Sequence, residues 1–238
     1  MAGSGRMGQA IVRAIAAHKD FLLAGLWVRD PERAASLNLP RDVLISSDID
    51  AVAAVADVVI DFSLPAAISD VLAAVTRHGK PVVCGVSGLT DAQRSEMDAA
   101  ARTVAVVYDR NMSLGVAVLE IIVRQASAAL GDEFAAEVHE THHIHKLDSP
   151  SGTALKLGEA IAAARGTAAE DIHYEVERRG DVPGDHSVVL SSATERLTLA
   201  HSVTTRDVFA DGALRAARWI VSRQPGRYSM HDVLNLGS

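Results

Sequence analysis

The chain has 238 residues, and 23 Lys+Arg against 30 Asp+Glu give it a formal net charge of −7. That length suits one large domain or two small ones, and the acidic balance argues against a nucleic-acid or anionic-membrane surface, because phosphate binding needs a basic field. Aromatic residues make up only 4% of a chain that is 48% hydrophobic, so the core is expected to be built of Ala, Val, Leu and Ile.

Cys84 is the only cysteine, which excludes an intrachain disulfide and a Cys-based zinc cage and fits a reducing compartment. No apolar run reaches the ~18 residues of a membrane span, and no basic segment followed by an apolar one opens the chain. The expectation is a soluble cytoplasmic protein.

In chain order, Gln9–His18 has helical spacing and Phe21–Val28 reads as a strand. Val55–Phe62 is a second strand, rich in β-branched residues. Ala66–His78 is helical, Pro81–Cys84 a short strand, and Asp91–Arg102 a helix with Thr90 as its N-cap. Val104–Tyr108 is a strand again. Strands alternating with helices of 10–13 residues predict βαβ units and a parallel sheet. Leu114–Leu130 then reads as one long helix, Phe134–Thr141 as a strand, Ser151–Arg165 as a helix, and His173–Phe209 as a run of strands. The predicted fold class is α/β: a Rossmann-like dinucleotide-binding domain plus an α+β domain with a mixed sheet.

Gly3-Ser4-Gly5-Arg6-Met7-Gly8 fits G-x-G-x-x-G and opens a helix. Such glycines let a pyrophosphate approach the helix N-terminus, where free N–H groups and the dipole favour anions. A glycine turn without a ligand is the weaker alternative, since a helix and a strand follow in the right order. A fingerprint of this kind follows a strand of about five residues, whereas only Met1 and Ala2 precede Gly3. The natural protein is therefore expected to begin some residues earlier; otherwise the sheet lacks most of its first strand. About 20 residues beyond Gly8, where a carboxylate would select NAD, stands Val28, followed by Arg29 and Asp30. Arg29 is either a partner for a 2′-phosphate, favouring NADPH, or a solvated loop charge.

Four of the ten histidines fall in seven residues: His139, His142, His143 and His145. His139 to His143 spells H-E-x-x-H, which binds zinc only on a helix. On a strand the two imidazoles lie about 13 Å apart at ~3.3 Å per residue, so no metal site is expected. His142, His143, His145 and Lys146 instead concentrate positive potential, and Ser151-Gly152-Thr153 starts a helix whose free N–H groups favour a carboxylate. The segment reads as a site for a small anionic substrate, with a histidine titrating near neutral pH to exchange protons. His139 and His145 are the members more readily explained as structural.

These residues resemble one family, the dihydrodipicolinate (4-hydroxy-tetrahydrodipicolinate) reductases of lysine and diaminopimelate biosynthesis. Its E-x-H-H-x-x-K-x-D-x-P-S-G-T-A signature is matched from Glu140 to Ala154, and its G-R-M-G by Gly5–Gly8. Asp61–Pro65, Gly85–Gly88, Asn111–Gly115 and Arg178–His186 match further family motifs. The resemblance implies an oxidoreductase that uses NADPH and/or NADH to reduce a cyclic dicarboxylate imine. It implies His142 and Lys146 as catalytic proton-exchanging groups, with His143, Lys146, Gly152 and Thr153 binding the substrate. It places the cofactor over Gly3, Gly5, Arg6, Met7, Gly8, Arg29, Phe62, Ser63, Gly85, Val86, Ser87, Asp109, Arg110, Asn111 and Met112. It also implies a homotetramer, and two domains: residues 1–113 completed by the tail 223–238, and residues 114–222 for substrate and assembly. Departures are Ala2 at the family's first glycine, Val28 at its acidic position, and Asp109-Arg110 in place of Ala-Pro. The rival readings are an aspartate dehydrogenase-like enzyme with the same nucleotide half, and a non-catalytic dinucleotide-binding relative.

Overall fold

The computed structural model describes residues 5–34 and 39–236; Gly3 and the last two residues of the tail lie outside them. The first unit takes in the chain up to Met112 and again from Asp207, and the second spans Ser113–Arg206.

In the first unit helix α1 (Arg6–Ala17) follows Gly5 and leads to strand β1 (Gly25–Trp27). Short α2 (Pro31–Ala34), β2 (Leu44–Ser46) and α3 (Ile49–Val55) come next, then β3 (Val59–Asp61), α4 (Ile68–Arg77), β4 (Val82–Cys84), α5 (Asp91–Ala100) and β5 (Ala105–Tyr108). Every residue of β3 and β4 is buried, as expected of parallel strands covered on both faces. Helix α4 buries Ile68, Val71, Leu72 and Val75 on one stripe, the i, i+3, i+4, i+7 pattern of an amphipathic helix. Thr90 caps α5 in a capping box with Gln93.

The second unit begins with α6 (Leu114–Leu130), followed by β6 (Ala135–His142), α7 (Gly152–Arg165), β7 (His173–Arg178), β8 (Asp185–Ser191) and β9 (Arg196–Ser202). Its sheet runs β7-β6-β8-β9. β6 pairs parallel with β7 and antiparallel with β8, so the sheet is mixed. Along β6, Val138, Glu140 and His142 are buried while the residues between them are not. The buried face joins α6 and α7 in a core of Leu119, Val123, Leu157, Ile161, Val188 and Leu190.

The chain then returns to the first unit with α8 (Asp207–Ile220), β10 (Gly226–Tyr228) and α9 (Met230–Leu234). Strand β10 pairs with β5, giving the order β10-β5-β4-β3. Here the structure departs from the sequence reading in two ways. Val208 and Phe209 open a helix instead of ending a strand, and the second unit stops at Arg206 rather than at residue 222. The cause is the buried stripe Ala210, Ala213, Leu214, Ala217 and Ile220, which packs α8 against α1 and strands β3, β4 and β5. Ion pairs Arg13–Asp207 at 3.0 Å and Arg218–Asp20 reinforce that contact.

β1 and β2 form a separate two-stranded sheet. Leu44 N–H donates to Ala24 and Val28 N–H to Ser46, which turns the backbone of Gly25 and Trp27 the other way. Val59 N–H donates to Pro81 and Gly85 N–H to Asp61, which likewise turns Ile60 away from β4. Both edges line one groove of about 430 Å³, together with Leu22, Val55 and Val221, which are 81%, 51% and 52% exposed. Among the described residues no strand lies between them, so the parallel sheet is split in two.

Gly212 on α8 is required by close approach: a Cβ there would lie 1.7 Å from the Met112 carbonyl oxygen. Helix propensity alone makes Gly→Ala stabilising by ~0.5–1 kcal/mol. We expect Gly212→Ala to do the opposite and destabilise by about 1–3 kcal/mol, measured as a lowered urea midpoint; a raised midpoint would show that the contact yields.

Candidate functional site

In the first unit the sequence-predicted cofactor residues sit at strand ends and at a helix start. α1 opens at Gly5 with no side-chain cap, so the first-turn N–H groups around Arg6, Met7 and Gly8 remain for an anion. Phe62 and Ser63 follow β3, Gly85, Val86 and Ser87 follow β4, and Asp109 and Arg110 follow β5. Because the strands are parallel, these loops share the carboxyl edge of the sheet, where α/β folds bind ligands. Gly85 N–H donates to the Asp61 carbonyl at 2.9 Å and Asp109 N–H to the Cys84 carbonyl at 3.3 Å. The Phe62 ring lies so close to Gly85 that a Cβ there would approach it to 2.4 Å. Asn111 is half-buried and Met112 is buried. The Asp61 carboxyl is fully buried, accepts from Ser63 N–H at 2.8 Å, and is pushed up in pKa by desolvation.

Val28 is buried and Arg29 is exposed just beyond β1. Asp30, the nearest acid, accepts the Glu32 N–H at 3.1 Å at the start of α2. Val28 is turned into the core and Asp30 accepts within a turn, while Arg29 is an exposed charge at that position.

The second unit assembles the signature residues around one carboxylate, Glu140, whose side chain is 1% exposed. β6 alternation directs Glu140 and His142 to the same face. Both Glu140 oxygens accept the Ser151 N–H at 3.1 Å. Arg178 Nη1 lies at 3.4 Å, His142 Nδ1 at 3.4 Å and His186 Nε2 at 3.8 Å from the same carboxylate. Ser151 caps α7 by accepting the Ala154 N–H at 3.1 Å, and its Oγ lies 3.2 Å from His186 Nε2. The His142 and His186 rings meet edge to face at 5.0 Å. Gly152 and Thr153 form the first turn of α7, with Thr153 buried.

Lys146 Nζ donates to both oxygens of Asp148, at 2.7 and 2.8 Å. Burial alone would raise the Asp148 carboxyl, but the Lys146 ammonium outweighs it and the pKa falls below the usual carboxylate value. Arg178 fixes this loop by donating to the carbonyls of Asp148 at 2.6 Å and Lys146 at 3.4 Å. His143 is half-buried beside the exposed His145, their rings 6.3 Å apart.

The histidine chemistry differs from expectation. Desolvation lowers the pKa of His142 to about 4; Lys146 and Arg178 push the same way, while Glu140 and Asp148 oppose. His186 falls to about 3 through burial and the neighbouring positive charges of His142, His201 and Lys146. His142 is thus neutral at pH 7 in the free protein instead of titrating near neutrality. H-E-x-x-H forms no cage of its own: His139 points to the other side of β6, pairing with Glu175 at 2.8 Å and Glu137 at 3.3 Å. The donor atoms that do come within 4.8 Å of one another belong to Glu140, His142 and His186, and Ser151 N–H and Arg178 already engage that carboxylate. Glu140, Arg178 and His186 receive no role from the sequence, and Ser151 is read there only as the start of α7. The alternation of β6 carries the signal for Glu140, two residues before His142.

Comparison with known proteins gives a consistent result. Residues 1–112 match the family model for the N-terminus of dihydrodipicolinate reductase, and residues 115–234 that for its C-terminus. The chain is 40% identical to the 4-hydroxy-tetrahydrodipicolinate reductase of Zymomonas mobilis, covering 98% of this chain and 94% of that one. Identity is 36% to the same-named protein of Pseudoalteromonas translucida, over 98% and 96% of the two chains. A dipicolinate-bound dihydrodipicolinate reductase from Paenisporosarcina superposes with a TM-score of 0.81 at 20% identity, covering 95% of this chain and 94% of that one, a likeness of fold. An aspartate dehydrogenase from Thermotoga maritima gives 0.54 at 13% identity, over 91% and 93%.

Two buried neutral histidines make stability pH-dependent. Their unfolded pKa is 6.5 and their folded values are about 4 and about 3, so the unfolded chain binds more protons as pH falls below 6.5. Their contribution is full above that value and is lost as pH falls from there through about 4 for His142 and about 3 for His186. Thermal unfolding of wild type and His186→Asn between about pH 7 and pH 5 should show the larger loss in wild type; equal losses would place His186 outside this linkage.

Proposed function

This chain belongs to the dihydrodipicolinate reductase family, and from that premise we propose how its residues carry out NAD(P)H-dependent reduction of 4-hydroxy-tetrahydrodipicolinate in lysine and diaminopimelate biosynthesis. The observation that supports these roles most directly is the convergence of His142, Lys146 and the α7 N-terminus on one small site. An anionic ring fits it through the N–H groups of Gly152 and Thr153, the Lys146 ammonium and the half-buried His143. Helix N–H groups and a cation together favour carboxylates.

The dinucleotide fits the glycine-opened α1 and the strand-end loops of Phe62–Ser63, Gly85–Ser87 and Asp109–Met112. When bound, its nicotinamide supplies the hydride. The protein must then provide a proton and hold the ring. Lys146 carries a proton at Nζ, and His142, neutral when the site is free, exchanges one at its imidazole. Arg29 favours NADPH by facing a 2′-phosphate. A homotetramer built through the second unit, in the cytoplasm, completes the proposal; light scattering at four chain masses tests the assembly.

The reaction is tested with the aldolase product of pyruvate and aspartate semialdehyde, following NADPH and NADH oxidation. No turnover by a folded protein would reject the assignment of activity to this chain. Lys146→Ala and His142→Ala should each lower kcat by about 10²-fold or more with the fold retained, as for loss of an acid or a charge stabiliser. Near-normal turnover in both would move the site elsewhere. Arg29→Ala should raise KM for NADPH several-fold more than KM for NADH; equal effects would remove Arg29 from cofactor selection.

A further inference from the structure

Glu140 is more than a filler of the site. A carboxylate with 1% side-chain exposure is held in place by more than charge balance. Its two oxygens share the backbone N–H of Ser151, the residue whose hydroxyl caps α7. The same carboxylate presents Oε2 to Nδ1 of His142 at 3.4 Å, and that nitrogen is buried and makes no hydrogen bond, so Glu140 acts on it as a facing charge. A carboxylate facing one imidazole nitrogen selects the tautomer with the proton on that side.

We propose that Glu140 is the positioning residue of this site, one buried carboxylate that fastens the anion-holding end of α7 and orients the His142 imidazole. The proposal rests on His142 being the proton-exchanging group argued above. By it, Nδ1 carries the proton toward Glu140, and Nε2 keeps the lone pair that exchanges a proton with substrate. His186 from β8 supports the arrangement from behind, touching both Ser151 and His142.

The charged and titratable groups acting on His142 come from several elements. Glu140 lies on β6, Arg178 on β7, His186 on β8, and Lys146 and Asp148 on the loop before α7; His201 on β9 acts on His186. Glu140 and Asp148 favour the imidazolium, while Lys146 and Arg178 oppose it. Removing the Glu140 charge therefore makes His142 harder to protonate.

Two substitutions separate the functions. Glu140→Gln keeps an oxygen for the Ser151 N–H but removes the charge facing Nδ1. It should leave KM for substrate within about threefold, lower kcat tenfold or more, and shift the kcat–pH limb set by imidazolium to lower pH, as expected for loss of a group that favours the charged form. Glu140→Ala removes both functions and should also raise KM about tenfold or more, the scale of one lost charge-assisted hydrogen bond. Nitrogen NMR of the His142 ring in the ligand-free protein reads the orientation without any turnover. Wild type should show the Nδ1–H tautomer, and Glu140→Gln a mixed or reversed population with a lower titration midpoint. An unchanged tautomer and midpoint in Glu140→Gln would overturn the proposal even if the enzyme is active. The expected tautomer shift in a protein without reductase activity would uphold the positioning and reject the reaction instead.

Discussion

A buried carboxylate is the constraint around which the second unit is organised. Withdrawing an ion of this size from water costs several kcal/mol even after relaxation, and the cost is met only where donors surround it. Glu140 draws them from two elements, the Ser151 N–H before α7 and the Arg178 guanidinium of β7, and imidazole nitrogens on β6 and β8 face it at 3.4 and 3.8 Å. Each partner is held by further contacts. Ser151 is fixed by its cap to Ala154, and Arg178 by three carbonyls, those of Lys146, Asp148 and Glu177. The loop that carries Lys146 is thereby tied to the strand that carries His142. Removing one member would expose the others to an uncompensated charge, which gives the cluster its rigidity.

On the proposed reading, the two units solve different binding problems with different sheets. In the first, parallel strands buried on both faces present their carboxyl ends and the start of α1, a surface rich in backbone N–H groups. Such a surface suits the long, repetitive shape of a dinucleotide. In the second, one face of a mixed sheet is covered by α6 and α7, and the last residues of β6 reach the α7 N-terminus. That arrangement places side chains of differing charge within a few ångströms, as proton transfer to a small ring requires. The excess of acid in the composition is compatible with both, because anion recognition depends on local groups and not on net charge.

Much of this was legible in the sequence, for identifiable reasons. Leu114–Leu130 was read with its true ends because apolar spacing and the Ser113 cap agree. The strand assignment of Phe134–Thr141 removes H-E-x-x-H as a zinc motif, and His139 lies on the far side of β6 from His142. Helix α8 is missed because its buried stripe is mostly alanine and its first turn holds Val208 and Phe209, residue types that favour strands. Helix α3 has no counterpart in the sequence reading, and its last residue, Val55, is taken into the following strand because only Ala56–Val58 separate it from Val59. Glu140 stands in the sequence as part of a motif without a role, since the donors that make it important come from residues 151 and 178. Strand alternation places Glu140 on the face of His142, but the donors that gather on it are a property of the folded sheet.

The electrostatics of the site also revise where its positive potential comes from. The sequence suggests the histidines as its source, yet burial keeps His142 and His186 neutral at pH 7. The formal charges that remain are Lys146 and Arg178 against Glu140 and Asp148, which cancel. An anionic ligand is then attracted chiefly by the α7 N–H groups and by a lysine already paired with Asp148. To gain Lys146 fully, a substrate carboxylate has to displace Asp148 or share the ammonium with it. Either outcome adds negative charge beside His142 and favours its imidazolium. On the proposed reading, substrate binding therefore raises the proton affinity of the group that must exchange a proton, whereas the free enzyme keeps that group neutral.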